Sequence, residues 1–371
     1  MKIAFIGSRG IPASYSGFET FYEQLSTRLV QRGHSVTVYN RSHWIKLKDK
    51  YYQGVNLVRL PSIKTKHLDT FSHTFLSLIH ALFCKYDLIY ICTVGNSPLC
   101  LIPKLFKTKV ILNVDGTDAA REKWGWFARN YMFWTEKVAC KLADVIIADS
   151  MVIKNKYKER YGRDTIFIPY GANIYDRSVE KTDTAILNKY GLAPDKYILF
   201  VSRLEPENNA HVLIEAFKNV KTDIKLVIVG DSPYNDKYKQ HLQALADERV
   251  VLTGFVYGDC YKALSCNCSF FVLPAAIDGT RPVLLDQMGF GNCVLVNNIL
   301  ANLEVIGEAG LSFDGKKGIS DLKEKIETLI TQKQLITNYR KQVIERVQTN
   351  YSWDAITLRY EELFETILKS E

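Results

Sequence analysis

Apolar residues recur along this chain in short runs that end on a glycine or a polar turn, and most runs are followed by a stretch with helical spacing. Residues 2–7 (KIAFIG) come first, an apolar run closed by Gly7, as expected of a strand buried on both faces of a parallel sheet. After the loop SRGIPASYSG, the segment FETFYEQLSTRLVQRG places Phe18, Phe21, Leu25 and Leu29 on one helical face and stops at Gly33. HSVTVYN is the next strand. Further strands are predicted at 55–60, 88–91, 110–114, 145–148 and 165–168, with a helix rich in aromatic and basic residues at 126–143. The polar stretch YDRSVEKTDTA reads as a linker, and the alternation then restarts. YILFVSR, IKLVIVG, VVLTGF, SFFVLPA and NCVLVNN are strands. HVLIEAFKNV, KYKQHLQALADE, YKALSCN and RPVLLDQMGFG are the helices between them, and YSWDAITLRYEELFETIL forms an amphipathic helix at the end. Repeated β-α-β units of this kind build parallel sheets with helices on both faces. The expected fold class is therefore α/β, with two doubly wound domains in series at 1–178 and 179–345 and a terminal helical segment at 346–371.

Composition agrees with two globular domains: 371 residues, 47% hydrophobic and 24% charged. No apolar run approaches the roughly 20 residues of a membrane span. The longest, 71–83, carries two histidines and is expected to be a buried helix. The opening apolar stretch is too short for a secretory leader. The eight cysteines lie scattered in apolar stretches such as LIYICTVG, as reduced core residues do, so a cytoplasmic protein is expected. Cys266 and Cys268 have no second Cys/His pair at zinc spacing and read as core, and no metal site is expected. Charge is uneven. Residues 1–178 carry 26 Lys/Arg against 14 Asp/Glu (net +12), and 179–371 carry 22 against 26 (net −4). The basic half mixes lysines with tryptophans, at Trp44 with Lys46, Lys48 and Lys50, at Lys104, Lys107 and Lys109, and around Trp124, Trp126, Phe133 and Trp134. This is the composition of a face for an anionic membrane surface, or of a solvated basic face. Nothing resembles a nucleic-acid-binding motif.

In open parallel sheets, ligands bind beyond the carboxyl ends of the strands. That selects three loops. In the first, Gly7 to Gly17 leads into a helix whose first amides suit a phosphate, or is simply a tight β-α turn. It lacks G-x-G-x-x-G, which disfavours a nicotinamide or flavin cofactor. In the second, VSRLEPENN, Arg203 leaves a strand tip, where it can grip a diphosphate or pair with Glu205 or Glu207. In the third, residues 278–286, Asp278 and Asp286 lie eight apart around a helix start near Pro282.

Taken together, IGSRGIPASYSGFET, NVDG at 113–116, REKWG, IADS, IPYGA, VSRLEPENN, LTGFVYG and the 278–286 loop resemble the retaining glycosyltransferases of the two-domain GT-B fold. Within that group they resemble the bacterial rhamnosyltransferase-type branch of capsule and O-antigen synthesis. The resemblance implies two Rossmann-like domains with a terminal helix, around Trp353, crossing back to the first. It implies transfer of a hexose or deoxyhexose, L-rhamnose from dTDP-rhamnose first among them, to a glycan or polyprenyl-diphosphate-linked acceptor. The donor is a substrate, and no cofactor or metal is implied. Gly17 matches the loop on the donor phosphates and Arg203 the arginine on the diphosphate. Asn208 stands where the family usually has a lysine, and Arg281 is the candidate to supply the missing charge. Thr280 lies in the same donor loop. Asp278 and Asp286 match paired glutamates, the second of which holds the ribose. Asp115 lies where many relatives place a histidine near the transferred sugar. The catalytic candidates are thus Asp115 and Asp278. A non-catalytic sugar-nucleotide-binding subunit and a GT-B epimerase are the alternative readings.

Overall fold

The computed structural model describes residues 1–13, 17–65, 68–114, 126–177, 184–232, 235–276 and 279–369. The chain divides into two compact units, 1–171 with 353–371, and 172–352.

In the first unit the apolar runs become β1 (Lys2–Ile6), β2 (Ser35–Arg41), β4 (Val55–Leu60), β5 (Leu88–Cys92), β6 (Lys109–Val114), β7 (Val145–Ala148) and β8 (Ile166–Phe167), with a two-residue β3 (Tyr51–Tyr52). They form one sheet in the order β3-β4-β2-β1-β5-β6-β7-β8, parallel except where β3 meets β4. The helices are α1 (Gly17–Gln31), α2 (Asp69–Leu82), α3 (Leu101–Leu105) after a 3-10 segment Val94–Cys100, α4 (Trp126–Leu142) and α5 (Met151–Tyr161). Leu78 and Ala81 of α2, Ala139 of α4 and Tyr157 of α5 share one core with β1, β5 and β6, so these helices lie side by side on one face of the sheet. The other face is aromatic. Phe5 and Tyr90 pack there against Phe21 and Tyr22 of α1.

The second unit holds β9 (Tyr197–Val201), β10 (Lys225–Val229), β11 (Val250–Gly254), β12 (Phe270–Leu273), β13 (Val294–Asn297) and β14 (Leu311–Phe313). Their order is β11-β10-β9-β12-β13-β14, all parallel. Its helices are α6 (Thr184–Lys189), α7 (Ala210–Lys218), α8 (Asp236–Leu245), α9 (Gly258–Asn267), α10 (Pro282–Gly289), α11 (Leu300–Ile306), α12 (Ile319–Thr331) and α13 (Lys333–Asn350). The last helix, α14 (Trp353–Lys369), belongs to the first unit, where Trp353 and Tyr360 pack on Phe21 and Tyr360 on Tyr90. Both units are α/β with doubly wound parallel sheets, the expected class.

Three expectations need correcting. The boundary falls at 171/172 and not at 178/179. Tyr175 bonds its amide to Gly289 O, and Arg177 bonds to Asn292 and Cys268 O, which ties the start of the expected linker to the second unit. The return segment starts at 353 and not at 346, because α13 runs to Asn350 within the second unit. Most informative is the helix expected to be buried at 71–83. Its inward face carries His73, Thr74 and Ser77, all fully buried, together with Leu78 and Ala81. Its outward face carries Phe75, Leu76 and Ile79, with Phe83 just beyond it, 44%, 39%, 37% and 83% exposed. Burial pushes the His73 imidazole down to about 4, so it sits neutral in the core.

All eight cysteines are free, and Cys266 and Cys268 are buried core residues. Among the described residues no helix is long and apolar enough to cross a membrane.

Candidate functional site

In the second unit the chain works outward from β9 to β11 on one side, then returns to β12 and works outward on the other. The tips of β9 and β12 therefore flank the crevice where such sheets bind ligands. Two of the three loops singled out in the sequence leave these tips.

The β9 loop is stitched to its neighbour by Ser202 N to Val229 O (3.1 Å) and Leu204 N to Asp231 O (3.1 Å). Gly230 lets the strands close this tightly. Its φ is +142°, and a Cβ there would collide with the Ser202 carbonyl. Arg203 is exposed at the tip. It forms no ion pair with either nearby acid among the described residues, and Glu205 instead accepts from Ser232 Oγ at 3.0 Å. Asn208 is buried. Its Nδ2 donates to Arg203 O at 2.8 Å, and its Oδ1 accepts from Arg281 NH1 at 3.4 Å. Asn208 thus holds the β9 loop against the start of α10, where Arg281 precedes Pro282. Thr280 is buried beside it. The structure so brings together Arg203, Asn208, Thr280 and Arg281, with the Asn208 carboxamide bridging the Arg203 carbonyl and the Arg281 guanidinium. Next to this cluster a cavity of about 410 Å³ opens along the tips of β9–β11, lined by Leu204, Gly230, Asp231, Lys239 and Gly254 among others.

Asp286 stands one turn into α10. Tyr261 OH donates to its Oδ2 at 2.6 Å and Tyr175 OH to its Oδ1 at 3.5 Å. Burial pushes this carboxyl up to about 6, against the pull of the two tyrosine hydroxyls. Gln287 Nε2 donates to Tyr261 OH (2.9 Å) and to Ser265 Oγ (2.8 Å), which fixes the phenol. These tyrosines were not anticipated. They lie 25 and 111 residues from Asp286 in sequence, and no local pattern points to either. A folded-state pKa above the ordinary aspartate value means that the native protein holds this proton more tightly than the unfolded chain. The associated stability, about 3 kcal/mol at most, is present below about pH 4 and is lost as pH rises through about 6. Denaturant titrations should show that Asp286→Asn loses less stability than wild type between these pH values. Equal losses would mean that Asp286 is ionised in the folded protein across the whole range.

In the first unit the corresponding crevice lies between the tips of β1 and β5. Gly7, at φ +108°, would place a Cβ 2.9 Å from Cys92 O, so only glycine lets the two tips meet. Asn40 pins the loop through Ile11 N (3.0 Å) and Ile11 O (2.7 Å). Gly17 opens α1, whose first amides face the same edge. Beside it lies a polar cluster that sequence reasoning missed. Arg9 stacks over Trp44 at 3.9 Å and comes within 4.0 Å of the buried Glu19, and Arg41 pairs with Asp69 at 2.9 Å. Asp115 and Asp278 lie outside the described residues, and among those residues no group of three His, Cys, Asp or Glu is placed to hold a metal ion.

Residues 183–349, which include the β9/β12 crevice, match the family described as glycosyl transferases group 1. That match falls within the second unit. Residues 1–173 match a family described as a domain of unknown function, DUF1972. An uncharacterized glycosyltransferase of Methanocaldococcus jannaschii is 27% identical over 279 residues, 73% of each chain. N-acetylgalactosamine-N,N'-diacetylbacillosaminyl-diphospho-undecaprenol 4-alpha-N-acetylgalactosaminyltransferase of Campylobacter jejuni is 35% identical over 103 residues. That stretch spans 28% of this chain and 27% of the transferase. Among solved structures, sucrose-phosphate synthase from Thermosynechococcus elongatus superposes with a TM-score of 0.83 at 18% identity, covering 100% of both chains. Anabaena HepE in complex with UDP and glucose gives 0.80 at 18% identity, covering 99% of this chain and 100% of HepE. The chain shares the GT-B fold of these structures.

Proposed function

We propose that this protein is a glycosyltransferase that moves a sugar from a nucleotide-sugar donor to an acceptor in glycan synthesis. The observation that carries this reading is the meeting of Arg203, Asn208 and Arg281 at the tips of β9 and β12, inside the stretch that matches glycosyl transferases group 1. An exposed arginine on the β9 loop and a second at the start of α10 suit a diphosphate, which a guanidinium can grip through paired N–H donors. The neighbouring cavity of about 410 Å³ has the size of a nucleoside subsite. Asp286, held by its two hydroxyl partners, is assigned to the ribose, as the sequence resemblance implies.

The finer proposal follows the sequence resemblance. The donor is dTDP-L-rhamnose, the configuration at the transferred carbon is retained, and no metal takes part. In such a transfer the bond between the sugar and the diphosphate breaks as the acceptor oxygen attacks from the same face, and the departing phosphate takes the acceptor proton. Negative charge grows on the diphosphate in the transition state, where prepositioned cationic donors lower the barrier most. Asp115 and Asp278 are assigned to the sugar and acceptor hydroxyls. For the acceptor, the name of the Campylobacter relative, which specifies a diphospho-undecaprenol substrate, supports a lipid-linked sugar. Mass spectrometry of reactions with dTDP-, UDP- and GDP-sugars and a polyprenyl-diphosphate-linked acceptor tests the reading, with EDTA in a parallel series. One added deoxyhexose from dTDP-rhamnose, insensitive to EDTA, is expected. Transfer from another donor alone would replace the sugar assignment, and loss of transfer in EDTA would overturn the metal-free mechanism.

A further inference from the structure

Helix α2 is built inside out. Leu68, Phe75, Leu76, Ile79 and Phe83 fall within about a third of a turn of one another when wound at 100° per residue, and all are exposed. The polar His73, Thr74 and Ser77 take the buried side. A helix that turns its aromatic and branched residues outward while burying a histidine has an outer face that water alone does not explain.

The apolar face continues onto neighbouring helices. Leu101, Leu105 and Phe106 on and after α3 are 47%, 72% and 63% exposed, and Tyr131 and Trp134 of α4 are 39% and 51% exposed. Helices α2 and α3 pack together, and Lys104 Nζ of α3 donates to Lys141 O of α4, so the three share one outer layer. Lys85, Lys104, Lys107, Arg129, Lys137 and Lys141 stand exposed around it. The acids of the same described segments are engaged elsewhere: Asp69 with Arg41, Asp87 with Lys2 N, and Glu136 with Lys156 and Tyr161.

We propose that this α2–α3–α4 face docks on an anionic lipid surface. Apolar side chains enter the headgroup boundary, Trp134 and Tyr131 sit at its level, and the surrounding lysines meet anionic headgroups. The surrounding charge selects this occupant over a second copy of the chain, because two such faces brought together would oppose their lysines. Of the basic and aromatic residues singled out in the sequence, this face keeps Lys104, Lys107 and Trp134 and leaves out the cluster around Trp44. Trp44 is covered by Arg9 and bonds to Asp69, and Phe133 is covered by Arg160.

The test is co-sedimentation of the full chain with vesicles of phosphatidylcholine and phosphatidylglycerol in equal parts, and with phosphatidylcholine alone. Wild type should bind the anionic vesicles and release at high salt. Replacing Phe75, Ile79 and Phe83 with serine should lower the partition coefficient about ten-fold or more, and Lys104→Glu with Lys107→Glu should do the same. Lys46→Glu with Lys48→Glu should change it little. These side chains are exposed, so circular dichroism should report an intact fold in every variant. Trp134 emission should shift to the blue on anionic vesicles. Undiminished binding by the serine variant, equal loss in the Lys46/Lys48 variant, or a dimer in light scattering that the serine substitutions dissolve would each overturn the proposal.

Discussion

Arg203→Ala should lower kcat/KM by about 10²–10³ and leave the melting temperature unchanged. The fold is insensitive because the guanidinium is exposed and forms no ion pair among the described residues. What holds the loop is the Arg203 carbonyl, accepting from Asn208 Nδ2 at 2.8 Å, and alanine keeps that carbonyl. In the proposed transfer the rate is sensitive because the diphosphate gains charge as the sugar leaves, so a hydrogen-bond donor at this strand tip would contribute more to the transition state than to the bound nucleotide-sugar. The loss should therefore appear in kcat as well as KM. A variant with wild-type kcat/KM at subsaturating donor would remove Arg203 from the site.

The second large effect is a charge exchange between positions 208 and 281. Arg281→Ala should lower kcat/KM by about 10² if, as proposed, this cation stands in for the lysine that the resemblance would put at position 208. Asn208→Lys alone should be harmful. The position is buried and its side chain lies 3.4 Å from Arg281 NH1, so a lysine there would face a like charge with little water to screen it. The double variant should recover about ten-fold over Arg281→Ala, since the new ammonium then has room and supplies the missing charge. Such coupling is expected only for residues in contact. A double variant no better than the product of the singles would mean that Arg281 and position 208 serve different groups.

Much of the architecture was legible because parallel sheets impose strong patterns. Strands buried on both faces read as apolar runs, and where a glycine closes a run it marks a strand tip, as Gly7 and Gly230 do. The loops worth searching followed from that alone. What the sequence hid depends on contacts between distant segments. The tyrosines on Asp286 come from α9 and from the segment after the first unit. Asn208 reads as a departure from a family pattern until Arg281 is seen to donate to it. The orientation of α2 was misread for a physical reason: helical spacing shows that one side is apolar and does not show which side faces the sheet. There the core took Leu78 and Ala81 together with three polar side chains and left Phe75, Ile79 and Phe83 outside. The unit boundary was placed a few residues late because polar Asp176 and Arg177 look like linker, although Arg177 anchors to Asn292 and Cys268 O.

The most direct test of the central claim is a crystal structure of the protein with dTDP. The diphosphate is expected in the crevice between the tips of β9 and β12, within hydrogen-bond reach of Arg203 and Arg281, with the nucleoside in the cavity beside Leu204 and Gly254. A nucleotide bound at another edge of the second unit, or out of reach of both arginines, would contradict it.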